Sequence, residues 1–586
     1  MGAITSTRKQ PREPGGTRPK PTKKAQKSSA GEAPTASEKR HEKLVEDDVS
    51  NVIGKSKPVC EAKLVDTRRP RSEPSPSFPA RLAVTSQSAA SKPLQGSRSP
   101  ARASPLDPTS TALQLESENK PSRLVRAIQR LTRLPACKVH KPSIHFQASA
   151  EAALHNWEML RKKGNSLPRL LLEQPFSVMT PGSEFRSVKQ LEKLLASHPL
   201  WERWEVGLSH GVTYPLEPYS ENEMKLDLAA QLERGNHQSA KACLGVLDKL
   251  NAEDVEHGYS FCLPVEALHD IEKSAVAPHG VVHQGTINEL GQLITKDRPT
   301  HDQSFAARPG GKSINDRCVM ELLTPCMFGH ALLRIIHFIL HLRTRFPQKR
   351  IFLQKVDFKS AYRRMHLSAG MAAKCVTVVR KLAYVSLRLP FGGRPCPSLW
   401  SDFSETITDL SNAIANDESW DPDTLHSPLQ HLIPKTVTEP DGIPFEQARP
   451  MSVTVPDSDG VYKSDVFIDD VISVVLDDDE GCKRGAAASL LAIHAVCRPV
   501  SVCEPVPRNE LTAEKKLIAE SLLEEVKTTL GWLLDTRRLL ISLNMEKYSA
   551  WAAAIIFILI TESCGYEDLE TLVGRLNHVC FIIPAA

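Results

Sequence analysis

The sequence predicts an α+β fold preceded by a disordered basic head, and three observations carry that expectation. Residues 1–140 hold 16 of the 43 prolines and a single aromatic residue, Phe78. From about residue 275, short β-branched runs broken by Gly, Pro and Asp alternate with helical pieces, as in an α+β domain. Hydrophobic residues make up 41% of the 586, enough for a sizeable core, and the length alone allows about three to four average domains.

The head (1–140, Pro/Ser-rich) carries 27 lysines and arginines against 13 aspartates and glutamates, a local net charge of +14. The whole chain is only +5, so the remainder carries −9. A segment this poor in core-forming residues cannot offset its ordering entropy and is expected to be disordered. Its charge suits loose contact with nucleic acid or an anionic surface. The opening Met1-Gly2-Ala3-Ile4-Thr5-Ser6, with Arg8 and Lys9 behind it, fits the permissive myristoylation pattern. One acyl chain anchors only weakly, and no membrane partner is expected. The cluster Lys20-Pro-Thr-Lys23-Lys24 reads either as a nuclear address or as a solvated tail.

Thirteen cysteines are scattered from Cys60 to Cys580 without a C-x-x-C pair or a zinc-like Cys/His spacing. Free thiols in a reducing compartment are expected, which excludes a disulfide-stapled secreted scaffold. No apolar run approaches the ~18–20 residues of a membrane span. Residues 552–560 (AAAIIFILI) come nearest and are expected to form a buried helix. The N-terminus lacks the apolar core of a secretory signal, so the expected location is cytoplasmic and/or nuclear.

Residues 141–274 are expected to be helical. Ala152, Leu154, Trp157 and Leu160 predict a helix over 148–165, and Val188, Leu191, Leu194 and Leu195 one over 187–205. Leu226, Leu228, Leu232, Leu244 and Leu247 extend the pattern over about 221–252.

Three segments carry candidate chemistry. Ile351 to Val356 suits a mostly buried strand and Lys359 onward a helix start, which puts Asp357 at a strand's C-terminal end. There it either faces an open site or caps the next helix. In Ser464–Val475 two β-branched runs flank Asp469-Asp470, the pattern of a hairpin with an acidic tip. The plain alternative is a polar turn, since Asp tolerates turn geometry. Two like charges side by side on so apolar a hairpin call for a divalent cation, and hard oxygen ligands suit Mg²⁺ or Mn²⁺. Beside the first strand, such a hairpin would gather three carboxylates for two-metal phosphoryl transfer. The third segment, Leu389-Pro390-Phe391-Gly392-Gly393-Arg394 running to Trp400, is a glycine turn entering a helix, which lets backbone approach a nucleotide closely.

Taken in chain order (Asp357, the Leu389–Trp400 turn, then Ser464–Val475), the segments resemble motifs A, B and C of reverse transcriptases, most closely those of gypsy-like and tyrosine-recombinase retroelements. The aromatic-x-Asp-Asp of motif C is Phe467-Ile468-Asp469-Asp470. Val281-Val282-His283-Gln284-Gly285 and Lys296-Asp297-Arg298 through Ser304 resemble the fingers hairpin, closed by Gly311 to Asp316. Leu530-Gly531-Trp532, with Asp535-Thr536-Arg537 beyond, resembles the primer grip, and Leu572 to His578 the helix that follows it. The resemblance covers roughly residues 275–586.

It implies a right-hand polymerase: fingers and palm over 275–543, then a helical thumb beginning near residue 544. Asp357, Asp469 and Asp470 are then the catalytic carboxylates and the ligands of two Mg²⁺ ions, with Mn²⁺ as a substitute. Arg298, in the family's Arg-x-x-x-Asp spacing with Asp302, is implied to contact the incoming triphosphate, with Lys296 a second candidate. Tyr362 is implied to pack under the sugar and Gly392 to lie near the nascent base pair, with Phe391 and Phe467 as further substrate-binding residues. Gly531 and Trp532 are the implied primer grip. The implied reaction is DNA synthesis from dNTP on an RNA or DNA template-primer, with a separate RNase H or integrase/recombinase activity as partner.

Four departures stand out. Phe467 replaces the usual Tyr. Asp469 follows Gly392 by 77 positions, implying an insertion at about 408–460. No RNase H, protease or integrase signature is visible. The family's general-acid lysine has three contenders, Lys515, Lys516 and Lys527. An RNA-dependent RNA polymerase would share the palm but resembles Asp-x4-Asp in motif A, where this chain has Tyr362. A silent retroelement relic that only binds nucleic acid is the other alternative.

Overall fold

Val471 to Val475 is an unbroken apolar and β-branched stretch apart from Ser473, and it forms the middle strand of the central sheet. The computed structural model describes residues 62–63, 120–134, 137–287, 293–425, 427–435, 442–448 and 460–583. The acylation pattern, the Lys20–Lys24 cluster and nearly all of the expected basic head lie outside the described residues. What is described belongs to the unit Glu61–Ala586.

The strands are β1 (Ala62–Lys63), β2 (Ser260–Pro264), β3 (His279–Ile287), β4 (Leu293–His301), β5 (Ile351–Asp357), β6 (Val376–Val379), β7 (Leu382–Ser386), β8 (Tyr462–Phe467), β9 (Asp470–Leu476), β10 (Val526–Thr529), β11 (Trp532–Asp535) and β12 (Leu540–Leu543). The longer helices of the first half are α1 (Arg123–Thr132), α2 (Ala150–Lys162), α3 (Val188–Leu195), α4 (Trp201–His210), α5 (Glu221–Arg234) and α6 (Leu244–Glu256). They continue with α7 (Ala331–Arg345), α8 (Cys396–Ala415), α9 (Asp479–Val496), α10 (Glu514–Glu520), α11 (Met545–Thr561) and α12 (Tyr566–Ile582).

The central sheet runs β5-β9-β8, antiparallel throughout. Side chains alternate across it with period two. Phe352, Val356, Val471 and Val475 face one core, shared with α8 and α9. Ile351, Leu353, Ile472 and Val474 face a second core, closed by α7 together with Trp532, Leu534 and Ile541. Both faces are therefore covered, which explains the near-continuous hydrophobicity of β9. The run Ala486-Ala487-Ala488 and Gly485 let α9 lie close on the sheet, since a Cβ at Gly485 would meet the Val475 side chain at 2.7 Å. Around this layer stand the sheets β2-β7-β6 and β1-β12-β11-β10 and the hairpin β3-β4.

Several boundaries differ from the sequence expectation. The head was expected to extend to residue 140, but α1 is a helix with Val125, Ile128 and Leu131 buried. The helical stretch 141–274 does not stand apart. Its β2 pairs with β7, and residues such as Leu160, Leu191 and Trp204 join the same core as Phe352. The pattern over 187–205 is split at His198-Pro199, because proline cannot continue α3. That over 221–252 is split at Gly235, which has φ 72°. Residues 408–415, expected to open the insertion, are the end of α8, and Trp420 and Leu425 beyond it are buried. The stretch 552–560 is helical but not buried: no residue of α11 is buried, and Phe557, Leu559 and Ile560 are exposed. Its main packing partner is α12, and one neighbouring helix covers only one stripe of another.

Candidate functional site

The β8–β9 hairpin closes on the pair Phe467–Asp470, leaving Ile468 and Asp469 as a two-residue turn. Ile468 has φ 58°, a left-handed conformation that a β-branched side chain adopts only under constraint. Two bonds supply that constraint. The Trp400 indole N–H donates to the Ile468 carbonyl at 2.6 Å, and the Phe358 amide donates to the Asp469 carbonyl at 2.9 Å. The second bond ties the hairpin tip to the end of β5. There the register sets Asp357 directly opposite Asp470. Three carboxylate residues thus meet at one end of the central sheet.

Their environment is partly dry. The Asp357 side chain is 10% exposed and that of Asp470 25%. Burial raises the pKa of Asp357 to about 6; Lys516 opposes that rise, while the charges of Asp469 and Asp470 add to it. Asp469 is likewise raised, first by burial and then by Asp470. Of the three contending lysines, the structure seats Lys516, on α10, against the carboxylates, with its Nζ 2.9 Å from Asp357 Oδ1. Lys527 instead lies buried on β10, paired with Glu524. A further cation, Lys355, bridges Asp470 at 3.7 Å and Glu520 at 2.8 Å.

Among the described residues no three His, Cys, Asp or Glu side chains converge closely enough to enclose a metal ion. The cation held against Asp357 is the Lys516 ammonium. The donor set nonetheless fits divalent cations in kind: hard carboxylate oxygens, half-buried and mutually repelling, in a place the chain itself fills with positive charge.

Tyr362 is buried on the turn after β5, its ring 5.2 Å from that of Phe391, which is exposed. Burial raises the Tyr362 hydroxyl pKa, so it stays protonated. Gly392 has φ 112°, and a Cβ there would lie 1.9 Å from the His301 carbonyl, so only glycine fits. Asn315 clamps the same turn, donating to the Gly392 carbonyl and accepting from the Arg394 amide, both at 2.8 Å. Arg298 and Lys296 sit on β4, both exposed. The charge of Arg298 opposes the rise in the Asp469 pKa, less strongly than Lys516 does. Asp302 pairs with His237 at 2.9 Å.

Phe467 packs edge-on against Phe328, with ring centroids 5.3 Å apart. Leu530 and Gly531, both at positive φ, form the β10–β11 turn. Trp532 turns inward: it is 1% exposed and stacks on His578 of α12, so it supports the hairpin rather than presenting a surface to a primer.

Sequence reasoning did not single out Trp400, Asn315 or Lys355. Each had a signal, because a buried indole or amide needs a partner and a lysine inside an apolar strand needs a counter-ion.

No protein-family model matches the chain, and no curated protein matches it. Among solved structures it is similar to the foamy viral protease-reverse transcriptase dRH in complex with double-stranded DNA. That match has 10% identity and a TM-score of 0.30, covering 70% of this chain and 51% of that one. It is also similar to the foamy viral protease-reverse transcriptase in complex with double-stranded DNA, at 11% identity and a TM-score of 0.30, covering 70% of this chain and 61% of that one. The chain thus spans between half and two thirds of the length of these proteins.

Proposed function

We propose that this chain is an RNA-directed DNA polymerase of retrotransposon type, adding deoxynucleotides to a primer 3′-hydroxyl on an RNA or DNA template. The observation that carries the reading is the register that sets Asp357 opposite Asp470, with Asp469 on the adjoining turn. In-line nucleotidyl transfer needs carboxylate oxygens gathered where cations must be held against phosphate charge. Asp357, Asp469 and Asp470 would hold two Mg²⁺ ions, which supply charge neutralisation and a more acidic 3′-hydroxyl when bound.

The remaining work falls to the chain's own residues. Lys516 keeps Asp357 ionised before substrate arrives and carries a proton within reach of the reacting groups. Arg298, exposed on β4, would attract the triphosphate. The Gly392 turn, held by Asn315 and by the His301 amide donating to the Phe391 carbonyl, would present backbone to the nascent base pair. Tyr362, packed under Phe391, narrows the space for a sugar.

Primer extension on a homopolymer template with Mg²⁺ tests the reading. Wild type should extend with dNTP, and Asp469→Asn should keep less than about a tenth of that rate while still binding primer-template. A wild-type chain that binds the duplex without extending it would leave a silent nucleic-acid-binding protein as the reading. Extension with rNTP alone would point to an RNA-dependent RNA polymerase.

A further inference from the structure

Helix α1 buries one face and leaves the other strongly charged. Ser122 caps it by accepting from the Val125 amide, and Val125, Ile128 and Leu131 turn into the core. Arg123, Arg126, Arg130 and Arg133 follow at intervals of three, four and three residues. With 3.6 residues per turn, these positions share one arc of about 80°. All four are exposed. Among the described residues none of the four guanidinium groups has a carboxylate or hydrogen-bond partner, whereas Arg334, Arg380 and Arg498 are each paired with an acid. Lys193 of α3 borders the same groove, and among the described residues no carboxylate lines it. Like charges at helical spacing repel, so the stripe gains stability only when an anion lies along it.

Its position separates it from the carboxylates. α1 rests on α3 and α9. α9 packs on the sheet face of Phe352, Val356 and Val475, whereas Asp357 and Asp470 belong to the alternate set with Leu353 and Ile472. The central sheet stands between the two.

We propose that α1 is a second nucleic-acid contact surface, binding the phosphate backbone of a duplex on the side of the sheet away from Asp357, Asp469 and Asp470. The stripe is about 15 Å long at 1.5 Å per residue. Measured along the duplex axis, that length spans about four base pairs, with one phosphate per strand every 3.4 Å or so. A bilayer is the poorer fit, because a helix lying in a membrane interface turns its apolar face to the lipid, and here that face is in the core. The choice of nucleic acid over another polyanion rests on the polymerase reading.

The test measures binding of the full chain to a fluorescent blunt duplex across a range of KCl concentrations. Wild type is compared with Arg123→Gln/Arg126→Gln/Arg130→Gln/Arg133→Gln, and primer extension is run on both. Glutamine keeps helix propensity and the four sites are exposed, so the fold should persist. The slope of log affinity against log salt should become shallower by about 3–4, since each neutralised phosphate contributes about 0.9. Affinity near 150 mM salt should fall at least tenfold. If the quadruple variant does not fold, Arg123→Gln/Arg130→Gln should show about half that change in slope. Slopes that agree within about one unit overturn the proposal, as does arginine-dependent binding to phosphatidylserine vesicles with duplex binding unaltered. A shallower slope in a chain that extends no primer leaves this surface standing and removes the polymerase reading. Extension with an unaltered slope does the reverse.

Discussion

Asp357→Asn should abolish nucleotide addition and, in divalent-free buffer, make the protein more stable. Burial lifts the Asp357 pKa from 3.8 to about 6 in spite of Lys516, with Asp469 and Asp470 contributing to the rise. A rise of about two units corresponds to roughly 3 kcal/mol of differential stability. Residual hydration of the cleft and the partner lost by Lys516 reduce the expected gain to about 1–2 kcal/mol. The folded-state pKa lies above the unfolded one, so the folded chain takes up its proton first. The penalty of the ionised carboxylate is therefore full above about pH 6 and fades as pH falls from there towards 3.8. The asparagine advantage should be largest near neutrality and gone by about pH 4. Urea unfolding in EDTA between these limits measures it. Adding Mg²⁺ should then stabilise wild type by mass action and the variant much less. A variant less stable than wild type at neutral pH in EDTA would refute the reasoning. Asp357 would then be an ordinary ion-pair partner of Lys516, not one of three carboxylates held in mutual repulsion.

Gly392→Ala should undock the turn from His301, lowering stability by about 1–3 kcal/mol and extension at least tenfold; an active, equally stable variant would show that the turn tolerates a side chain. Tyr362→Val should raise rNTP relative to dNTP kcat/KM at least tenfold, because displacing a packed ring is worth about 1–3 kcal/mol. An unchanged ratio with both rates reduced would make Tyr362 a core residue only. Glu184→Gln should destabilise by about 3–5 kcal/mol, since it leaves Arg364, Arg388 and Arg508 short of their buried counter-charge. Although burial pushes the Glu184 pKa up, those arginines hold it well below the usual carboxylate range. Its contribution is thus present above the unfolded pKa near 4.5 and lost as pH falls below it. A Glu184→Gln midpoint that matches wild type at neutral pH would remove that assignment.

What could be read from the sequence was local. Two β-branched runs around Asp469-Asp470 specify a hairpin within twelve residues, and Ile351 to Asp357 specifies a strand ending in an acid. Neither segment states that Asp357 pairs with Asp470, because register between strands more than a hundred residues apart depends on the cores that close over both faces. The same limit explains α11. Nine consecutive apolar residues look buried, but burial is set by what packs against a helix, and only α12 does so to any extent. It explains the ion cluster as well. Glu184, Arg364, Arg388 and Arg508 read singly as surface charges, yet they meet across as many as 324 residues in full burial. Arg364 follows Tyr362 by two positions and donates to the Lys359 carbonyl, and Arg388 lies just before the Gly392 turn. A network with no local signal therefore anchors the turn that follows Asp357, and a charge change at Glu184 should reach the candidate site through the Lys359 backbone held by Arg364 rather than through any contact with substrate.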